Sequence, residues 1–339
     1  MKLPIWNLAW SITNECNLRC EHCYASSGKA YKGELTTSEF REKLVDRAKV
    51  IGTKFFTITG GEPFIRPDIW EALEYIKSSG ISLSIATNGV LLDKEQIKRL
   101  KNINVDRVQI SLEGPTAELN NLIRGKGVFE KLTEKVIPEL IKQGIFTAIS
   151  MTPTNRNQGS LDEMVTLCRK LGVNSLSIRR FVPQGRANAN AKIHDMERLQ
   201  YRTFLEKVQS LKMQHAGSLK IASGDPLSIL ANPQLEEFSS CDDLLGGCTA
   251  GITSLAVSAT GDIKACTRID KILGNIKTDD LKQIWEEHPF LLQLRERNLI
   301  GEKCSTCKYK PICGGCRASA LKYNGGAFQD DPNCWLETE

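Results

Sequence analysis

Apolar positions in the first half of the chain follow two periods in turn, one typical of strands and one typical of helices. Strand-like runs separated by segments with helical spacing are Leu8–Thr13, Lys54–Thr59, Ile81–Ala86, Val105–Leu112, Ile145–Met151 and Ser175–Phe181. Strands that alternate with helices favour a parallel sheet with helices packed outside it. Six such units are fewer than the eight of a closed TIM barrel, so this α/β pattern predicts a partial (β/α)6 TIM-like barrel.

The pattern changes after Arg186. From about Gly224 onward, glycine and cysteine dominate, and Leu281–Arg297 is the one clear helical segment. This part has too little apolar periodicity for a large core of its own, and bound metal would supply the missing stability. We therefore predict two domains, a barrel over residues 1–218 and a cysteine-rich extension over residues 219–339.

Composition narrows the function classes. The net charge is +5, and lysine and arginine are spread along the chain without a basic block, so we expect no nucleic-acid partner. We also expect no membrane partner, because no window of about 18 residues is apolar enough to span a bilayer. The N-terminal residues lack the features of a signal peptide, which predicts a cytoplasmic location. Twelve cysteines in that reducing compartment indicate metal sites and not disulfides.

Three cysteines lie close together near the N-terminus, at Cys16, Cys20 and Cys23. This C-x3-C-x2-C spacing lets one loop bring three thiolates to one corner of a [4Fe–4S] cluster. Such a cluster has four irons, so three cysteines leave one iron open for a ligand that takes part in chemistry. The alternative is a zinc site that also uses His22, but His22 is adjacent to Cys23, and both side chains could hardly reach one ion.

Two segments together resemble the radical S-adenosylmethionine (SAM) enzymes. One is the cysteine triad followed by the aromatic Tyr24, and the other is the run Gly60–Pro63, which comes directly after a predicted strand. The resemblance implies that Gly60–Pro63 contacts the methionine amino group of SAM, with glycines allowing close approach and Glu62 offering negative charge. The cofactor-binding residues that it implies are Tyr24, Gly60, Gly61, Glu62, Pro63, Thr87, Asn88, Ser111 and Arg124.

The roles of two residues, Glu113 and Arg124, are open at this point. The family usually has Asp where this chain has Glu113, which follows Ser111 in the same segment. Arg124 matches a recurring Arg-Gly pair and is expected to pair with the SAM carboxylate, but a surface arginine is an equal alternative. The resemblance also implies the reaction: one electron from the cluster cleaves SAM to a 5′-deoxyadenosyl radical, which abstracts hydrogen from a substrate C–H bond. It does not identify a catalytic residue of the protein.

The C-terminal cysteines resemble the SPASM extension of radical SAM enzymes, which holds two auxiliary [4Fe–4S] clusters. By this resemblance one auxiliary cluster takes Cys241, Cys248, Cys266 and Cys316. The other takes Cys304, Cys307, Cys313 and Cys334. Cys168 is left over, and we expect it to pack in a helix as a small apolar residue. A zinc ribbon is the rival interpretation, but only five residues separate the two C-x2-C pairs.

Two classes of function remain at this point. An enzyme would use both the open iron and the Gly60–Pro63 loop, whereas a non-catalytic electron carrier or redox regulator would use neither. Within the enzyme class, the segment from Cys16 to about Gln143 resembles mycofactocin-type maturases, which favours a ribosomally made peptide or protein as substrate. The alternative is side-chain modification of a tetrapyrrole, because the run Arg179–Arg186 and the segment around Cys313–Cys316 resemble enzymes of heme d1 and the alternative heme pathway.

The expected partners follow from the peptide interpretation. A reduced electron donor, such as flavodoxin or ferredoxin, would supply the electron. Many peptide maturases carry an N-terminal leader-binding domain, but this chain begins close to its first predicted strand. A separate peptide-recognition protein would then be needed.

Overall fold

The framework of the protein is a ten-stranded sheet. It is seen in a computed structural model that describes residues 4–232, 234 and 246–337. The strands are β1 (Asn7–Ser11), β2 (Phe55–Thr59), β3 (Ser82–Thr87), β4 (Arg107–Ser111), β5 (Thr147–Met151), β6 (Ser175–Ile178), β7 (Lys220–Ser223), β8 (Ser254–Val257), β9 (Asp262–Lys264) and β10 (Gly274–Asn275).

The first eight strands are parallel and lie in the order β8-β1-β2-β3-β4-β5-β6-β7. The short strands β9 and β10 extend the sheet beyond β8 in antiparallel fashion. Among the described strands, β7 pairs only with β6, so the barrel does not close. The predicted α/β partial barrel is confirmed, and two further parallel strands enlarge it.

Helices cover the outer face of this sheet. Two of them contain a π-helical stretch: α1 consists of Thr37–Glu39, the π stretch Phe40–Val45 and Asp46–Val50, and α5 consists of Val128–Lys131, the π stretch Leu132–Val136 and Ile137–Lys142. The others are α2 (Ile69–Ser78), α3 (Lys94–Asn102), α4 (Ala117–Arg124), α6 (Leu161–Leu171), α7 (Arg186–Ala189), α8 (Ala191–His194), α9 (Arg198–Gln214), α10 (Leu281–Glu287), α11 (Pro289–Arg295), α12 (Glu302–Thr306) and α13 (Arg317–Asn324). Short 3-10 helices are Pro63–Ile65, Gln158–Ser160, Pro226–Ala231 and Arg297–Leu299. In the described residues, no helix is both long and apolar enough to cross a bilayer.

Strand alternation sets the character of the barrel interior. In β1, Leu8 and Trp10 are fully buried against the outer helices, while Ala9 faces inward. The register places Ala9 beside Thr57, and Thr57 beside Ser84. Because these three inward side chains are small or polar, they leave space for a cavity, unlike the bulky apolar layers that fill a closed TIM barrel.

Strands β7 and β8 were not predicted from the sequence. Both lie beyond residue 218, and β8 pairs in parallel with β1, with Asn7 opposite Ser254. The sheet therefore runs across the predicted domain boundary, and the division at residue 218 stays a prediction. Four-residue strands within a segment rich in glycine give almost no periodic signal.

Candidate active site

The interior cavity extends from the beginnings of the strands to the loops at their carboxyl ends and has a volume of about 820 Å³. Its lining combines loops from the first half of the chain with residues from the C-terminal part, including Cys266. The cofactor and cluster residues predicted from the N-terminal half that line it are Cys16, Cys20, Cys23, Tyr24, Gly60, Gly61, Thr87, Asn88, Ser111 and Arg124. Glu62 and Pro63 are buried behind this lining. The structure thus brings nearly all of the predicted N-terminal site residues to one cavity.

The three N-terminal cysteines occupy a single loop after β1. The amide of Cys16 donates to the carbonyl of Gly28 at 3.0 Å, and the amide of Cys23 donates to the carbonyl of Cys20 at 3.3 Å. Burial, followed by the negative charge of Glu62, Cys20 and Cys23, raises the pKa of the Cys16 thiol to about 11. Three thiols that face a cavity, and whose thiolates would repel one another, are suited to a cation or cluster that replaces their protons.

Close packing of two loops requires glycine at both Gly60 and Gly61. A Cβ atom on Gly60 would lie 2.4 Å from the carbonyl oxygen of Thr13, and one on Gly61 would lie 2.0 Å from that of Glu15. The amide of Gly61 also donates to the Thr13 carbonyl at 2.8 Å. The two glycines therefore let the loop after β2 lie directly against the segment that leads into the cysteine loop.

The carboxylate of Glu62 is fully buried and joins two loops. It accepts hydrogen bonds from the hydroxyl of Thr87 at 2.6 Å and from the amide of Asn88 at 2.8 Å. Burial raises the pKa of Glu62, and these two donors oppose that rise. The side chain thus ties the loop after β2 to the loop after β3, and its contact with the SAM ammonium stays a prediction.

Arg124 is held inside the site and is not a surface arginine. Its guanidinium pairs with Glu113 and lies 3.8 Å from the sulfur of Cys20. The imidazole of His22 also contacts Glu113, at 3.0 Å. This contact directs His22 to a carboxylate, which disfavours the zinc alternative at the N-terminal loop.

Glu113 thus takes the place of the expected Asp with a full set of partners. Burial alone would raise its pKa, but Arg124 and His22, together with the amide of Thr152, lower it to about 2. A residue that is fully ionised here can hold both Arg124 and the cysteine loop in position. The helix α4, which carries Arg124, was not predicted from the sequence.

The neighbouring residues Arg179 and Arg180 have opposite surroundings. Arg180 is buried and forms a bidentate pair with Asp331, at 2.7 and 2.8 Å, and a further contact with Asp225 at 3.3 Å. Arg180 therefore pairs with local carboxylates. Arg179 opens into the cavity and donates to the side-chain oxygen of Gln109 at 3.0 Å.

The C-terminal cysteines fall into two groups. Burial raises the pKa of Cys248, and Cys316 and Cys266 add to the rise. Burial likewise raises the pKa of Cys313, with Cys334 and Cys304 among its neighbours, and Cys307 affects Cys334 in the same way. These neighbours belong to the two predicted ligand sets, which stay predictions, and Cys241 lies outside the described residues. Cys168 is fully buried in α6, which confirms its packing role.

Sequence reasoning missed several residues that shape the site. Asp331 accepts from the amide of Cys316 at 2.6 Å while it pairs with Arg180. Arg107 and Arg268 also line the cavity. An aspartate three residues before Cys334 was a weak signal for Asp331. The signal for Arg107 was strand alternation, which puts it on the same face as Ser111.

Comparison with known proteins agrees with this geometry. Residues 10–168 match the model of the radical SAM superfamily, and residues 248–316 match the SPASM iron–sulfur cluster-binding domain. Mycofactocin maturase MftC of Mycobacterium ulcerans is 34% identical, over 96% of this chain and 87% of that protein. The AdoMet-dependent heme synthase of Methanosarcina barkeri is 30% identical, over 96% of this chain and 95% of that protein.

A solved structure supports the fold independently. SuiB of Streptococcus suis, bound to S-adenosylmethionine, superposes with a TM-score of 0.81 at 23% identity, over 99% of this chain and 78% of that one. The curated relatives are named as enzymes, which favours an enzyme over an electron carrier. The resemblance drawn from the sequence is therefore confirmed: this chain belongs to the radical SAM superfamily and carries a SPASM domain, and its cofactors are [4Fe–4S] clusters and SAM.

Proposed function

We propose that this protein is a radical SAM oxidoreductase that matures a ribosomally made peptide or protein. When bound, the cluster on Cys16, Cys20 and Cys23 supplies the electron that cleaves SAM to a 5′-deoxyadenosyl radical, which abstracts hydrogen from a substrate C–H bond. The observation that carries the proposal is the shared cavity, because the three thiols, the Gly60–Gly61 backbone and Ser111 all border it. A substrate in the barrel would therefore lie next to the reacting group and away from bulk water.

Individual residues of the chain would bind SAM, separate the two cluster regions or hold the auxiliary clusters. Arg124 would pair with the SAM carboxylate, and its ion pair with Glu113 would hold it in position. Tyr24 is half-buried beside Thr267 and Cys266, where it would separate the N-terminal site from the C-terminal cysteines. The two auxiliary clusters would be held by Cys241, Cys248, Cys266 and Cys316, and by Cys304, Cys307, Cys313 and Cys334.

The peptide substrate is supported by two comparisons. Mycofactocin maturase MftC is 34% identical over nearly the whole chain. The fold of SuiB, which has been solved with its precursor peptide SuiA, can also host a peptide. A reduced flavodoxin or ferredoxin would donate the electron, and a separate protein would recognise the peptide. We propose a cytoplasmic location because cysteines that bind clusters require a reducing compartment.

A tetrapyrrole is the second candidate substrate, and Arg179 favours it. Its guanidinium opens into the cavity and, within the described part of the chain, pairs with no carboxylate. It could therefore meet a carboxylate side chain of a tetrapyrrole. The 30% identity to an AdoMet-dependent heme synthase over 95% of that protein supports the same alternative.

Anaerobic reconstitution, reduction with dithionite and measurement of 5′-deoxyadenosine test the proposed chemistry. The wild type should cleave SAM, whereas the variant with Cys16, Cys20 and Cys23 all changed to Ala should form none and retain its auxiliary clusters. Cys168→Ala is the matched control, since Cys168 is buried in α6 and belongs to neither group. Formation of 5′-deoxyadenosine by the triple variant would overturn the proposal.

A substrate comparison then separates the two candidates. Neighbouring genes direct the choice of substrate, since a short precursor peptide or enzymes of the siroheme pathway would be encoded nearby. Each candidate is incubated with reconstituted enzyme, and modified product is detected by mass spectrometry. Modification of the tetrapyrrole but not of the peptide would refute the peptide proposal and favour the tetrapyrrole as substrate.

A further inference from the structure

Two arginines project into the barrel below the predicted SAM position. Strand β4 presents Ser111, Gln109 and Arg107 on its inward face. Alternate residues of a strand are about 7 Å apart, so Gln109 lies one such step below Ser111 and Arg107 lies two steps below it. Because Arg179 donates to Gln109, its guanidinium lies at the depth of the first step.

Neutral groups hold both guanidinium groups in place. Arg107 donates to the hydroxyl of Ser177 at 2.9 Å, and Arg179 donates to the amide oxygen of Gln109 at 3.0 Å. These contacts connect β4 and β6 across β5, whose register places the small residues Ala148 and Ser150 between them. Within the part of the chain that the structure describes, the two arginines therefore span the inner face of the barrel without an acidic partner.

The two guanidinium groups place positive charge on this part of the barrel wall. In the described residues, neither guanidinium forms an ion pair, and the Nε atom of Arg107 is buried without a hydrogen-bond partner. Burial, with repulsion from Arg268 and Arg107, lowers the pKa of Arg179 to about 10. An anion bound between Arg107 and Arg179 would reverse that repulsion and satisfy the free donor.

The space around Arg179 is kept open by Gly224. A Cβ atom on Gly224 would lie 2.8 Å from Nη1 of Arg179, so any larger residue would displace the guanidinium. Gly224 follows β7, and its amide donates to the carbonyl of Ile178 at 3.0 Å. The position of the guanidinium thus depends on the absence of a side chain at one residue of the neighbouring strand.

Aromatic side chains border the same cavity where the strands begin. Trp6, Phe55 and Phe146 line it and are 52%, 38% and 40% exposed. The rings of Trp6 and Phe55 lie 5.7 Å apart. Exposed aromatic surface beside buried positive charge matches a ligand that has an apolar body and an anionic group.

We propose that Arg107 and Arg179 form a subsite for a substrate carboxylate, with the apolar body of the substrate against Trp6, Phe55 and Phe146. The subsite rests on the proposed function and specifies its substrate class, since it requires a carboxylate on the molecule that occupies the barrel. It applies equally to a peptide terminus or acidic side chain and to a tetrapyrrole side chain.

The test uses the reconstituted full-length protein with SAM present and two small probes. 3-Phenylpropanoate carries a carboxylate and an aromatic ring, and 3-phenylpropanamide is its neutral counterpart. Binding is measured by anaerobic calorimetry and checked by ligand-observed NMR. The carboxylate should bind more tightly than the amide by on the order of 10-fold or more.

Three variants locate the subsite. Arg179→Gln should weaken binding of the carboxylate on the order of 10- to 100-fold and leave binding of the amide unchanged. Gly224→Ala keeps every charge and should weaken it as well, because the added methyl displaces Arg179. Arg202→Gln is the control, since Arg202 is an exposed residue of α9 that pairs with Glu206. It should leave both affinities unchanged.

The outcomes are distinct. Equal affinity for the two probes, or no effect of Arg179→Gln, would refute the subsite. A loss of SAM affinity in Arg179→Gln would also refute it, because the guanidinium would then be holding SAM. Absence of 5′-deoxyadenosine from the wild type would instead refute the proposed function, while the probe measurements would still decide whether the subsite exists.

Discussion

The buried ion pair between Arg180 and Asp331 is expected to stabilise the contact between the barrel and the C-terminal segment. Both side chains are almost inaccessible, at 3% and 0% exposure, and Asp331 also accepts from the amide of Cys316. Arg180→Met would leave Asp331 and Asp225 buried with their charges unpaired. Removing one partner of a buried pair costs about 3 to 5 kcal/mol.

This loss is large enough to measure by unfolding. For a chain of 339 residues, the entropy of unfolding near the midpoint is about 0.7 kcal/mol per kelvin, so Tm should fall by roughly 4 to 7 °C. The assay is anaerobic thermal unfolding of reconstituted protein followed by circular dichroism. Limited proteolysis should show earlier cleavage in the C-terminal part, because Asp331, which accepts from the amide of Cys316, loses its ion pair with the barrel residue Arg180.

Two further variants make the interpretation specific. Arg202→Met removes an exposed pair and should change the free energy of unfolding by less than about 1 kcal/mol. The double variant with Arg180→Met and Asp331→Asn should recover part of the stability, because the unpaired charge on Asp331 is gone while an oxygen acceptor remains for Cys316. If Arg180→Met unfolds at the wild-type temperature, or if Asp331→Asn worsens it, the argument from unpaired buried charge is wrong.

Three other predictions concern the clusters and Glu113. Three [4Fe–4S] clusters require about twelve irons per chain after reconstitution, and about four irons with stoichiometric zinc would contradict the auxiliary ligand sets. Changing Cys304 and Cys307 to Ala should preserve some SAM cleavage, stop product formation and lower C-terminal protease resistance, and full product yield would show that these cysteines are dispensable for the chemistry. Glu113→Gln should lower the free energy of unfolding by about 3 kcal/mol, since the Glu113 pKa falls from 4.5 to about 2 on folding. A depressed carboxyl pKa stabilises the folded state above the unfolded pKa value. The difference in free energy of unfolding between Glu113→Gln and wild type, measured by urea unfolding, should therefore be constant from about pH 8 to pH 5 and shrink only below about pH 4.5. Shrinkage between pH 7 and pH 5.5 would contradict this reasoning.

The parts of the fold that the sequence predicted are those with long, regular apolar patterns. All six predicted strands of the barrel are present, with ends shifted by a few residues. Strands β7 and β8 and the helix α4 escaped prediction because they are short and their burial depends on partners far away in the chain. This affected the prediction of the site, since α4 carries Arg124. Without the position of α4, the sequence could not decide whether Arg124 is a surface residue or a residue of the site.

The candidate site could be predicted as a set of residues but not as a set of contacts. Motif spacing indicated that Cys16, Gly60 and Ser111 would meet in one cavity, because loops at the carboxyl ends of parallel strands converge. It could not indicate that Glu62 would turn away to join two loops. Nor could it distinguish the roles of Arg179 and Arg180. The acidic partners of Arg180 come from distant segments of the chain.

The pairing of β1 with β8 has a consequence for how the protein is made. Residues 12–253 separate the two strands, so a ribosome completes about three quarters of the polypeptide before β1 gains its second neighbour. Until then the nascent chain exposes an open parallel edge beside the loop that carries Cys16, and such edges invite misassembly. Productive maturation in a host cell should therefore depend on protection of this edge during synthesis, and on iron–sulfur delivery after β8 has been made.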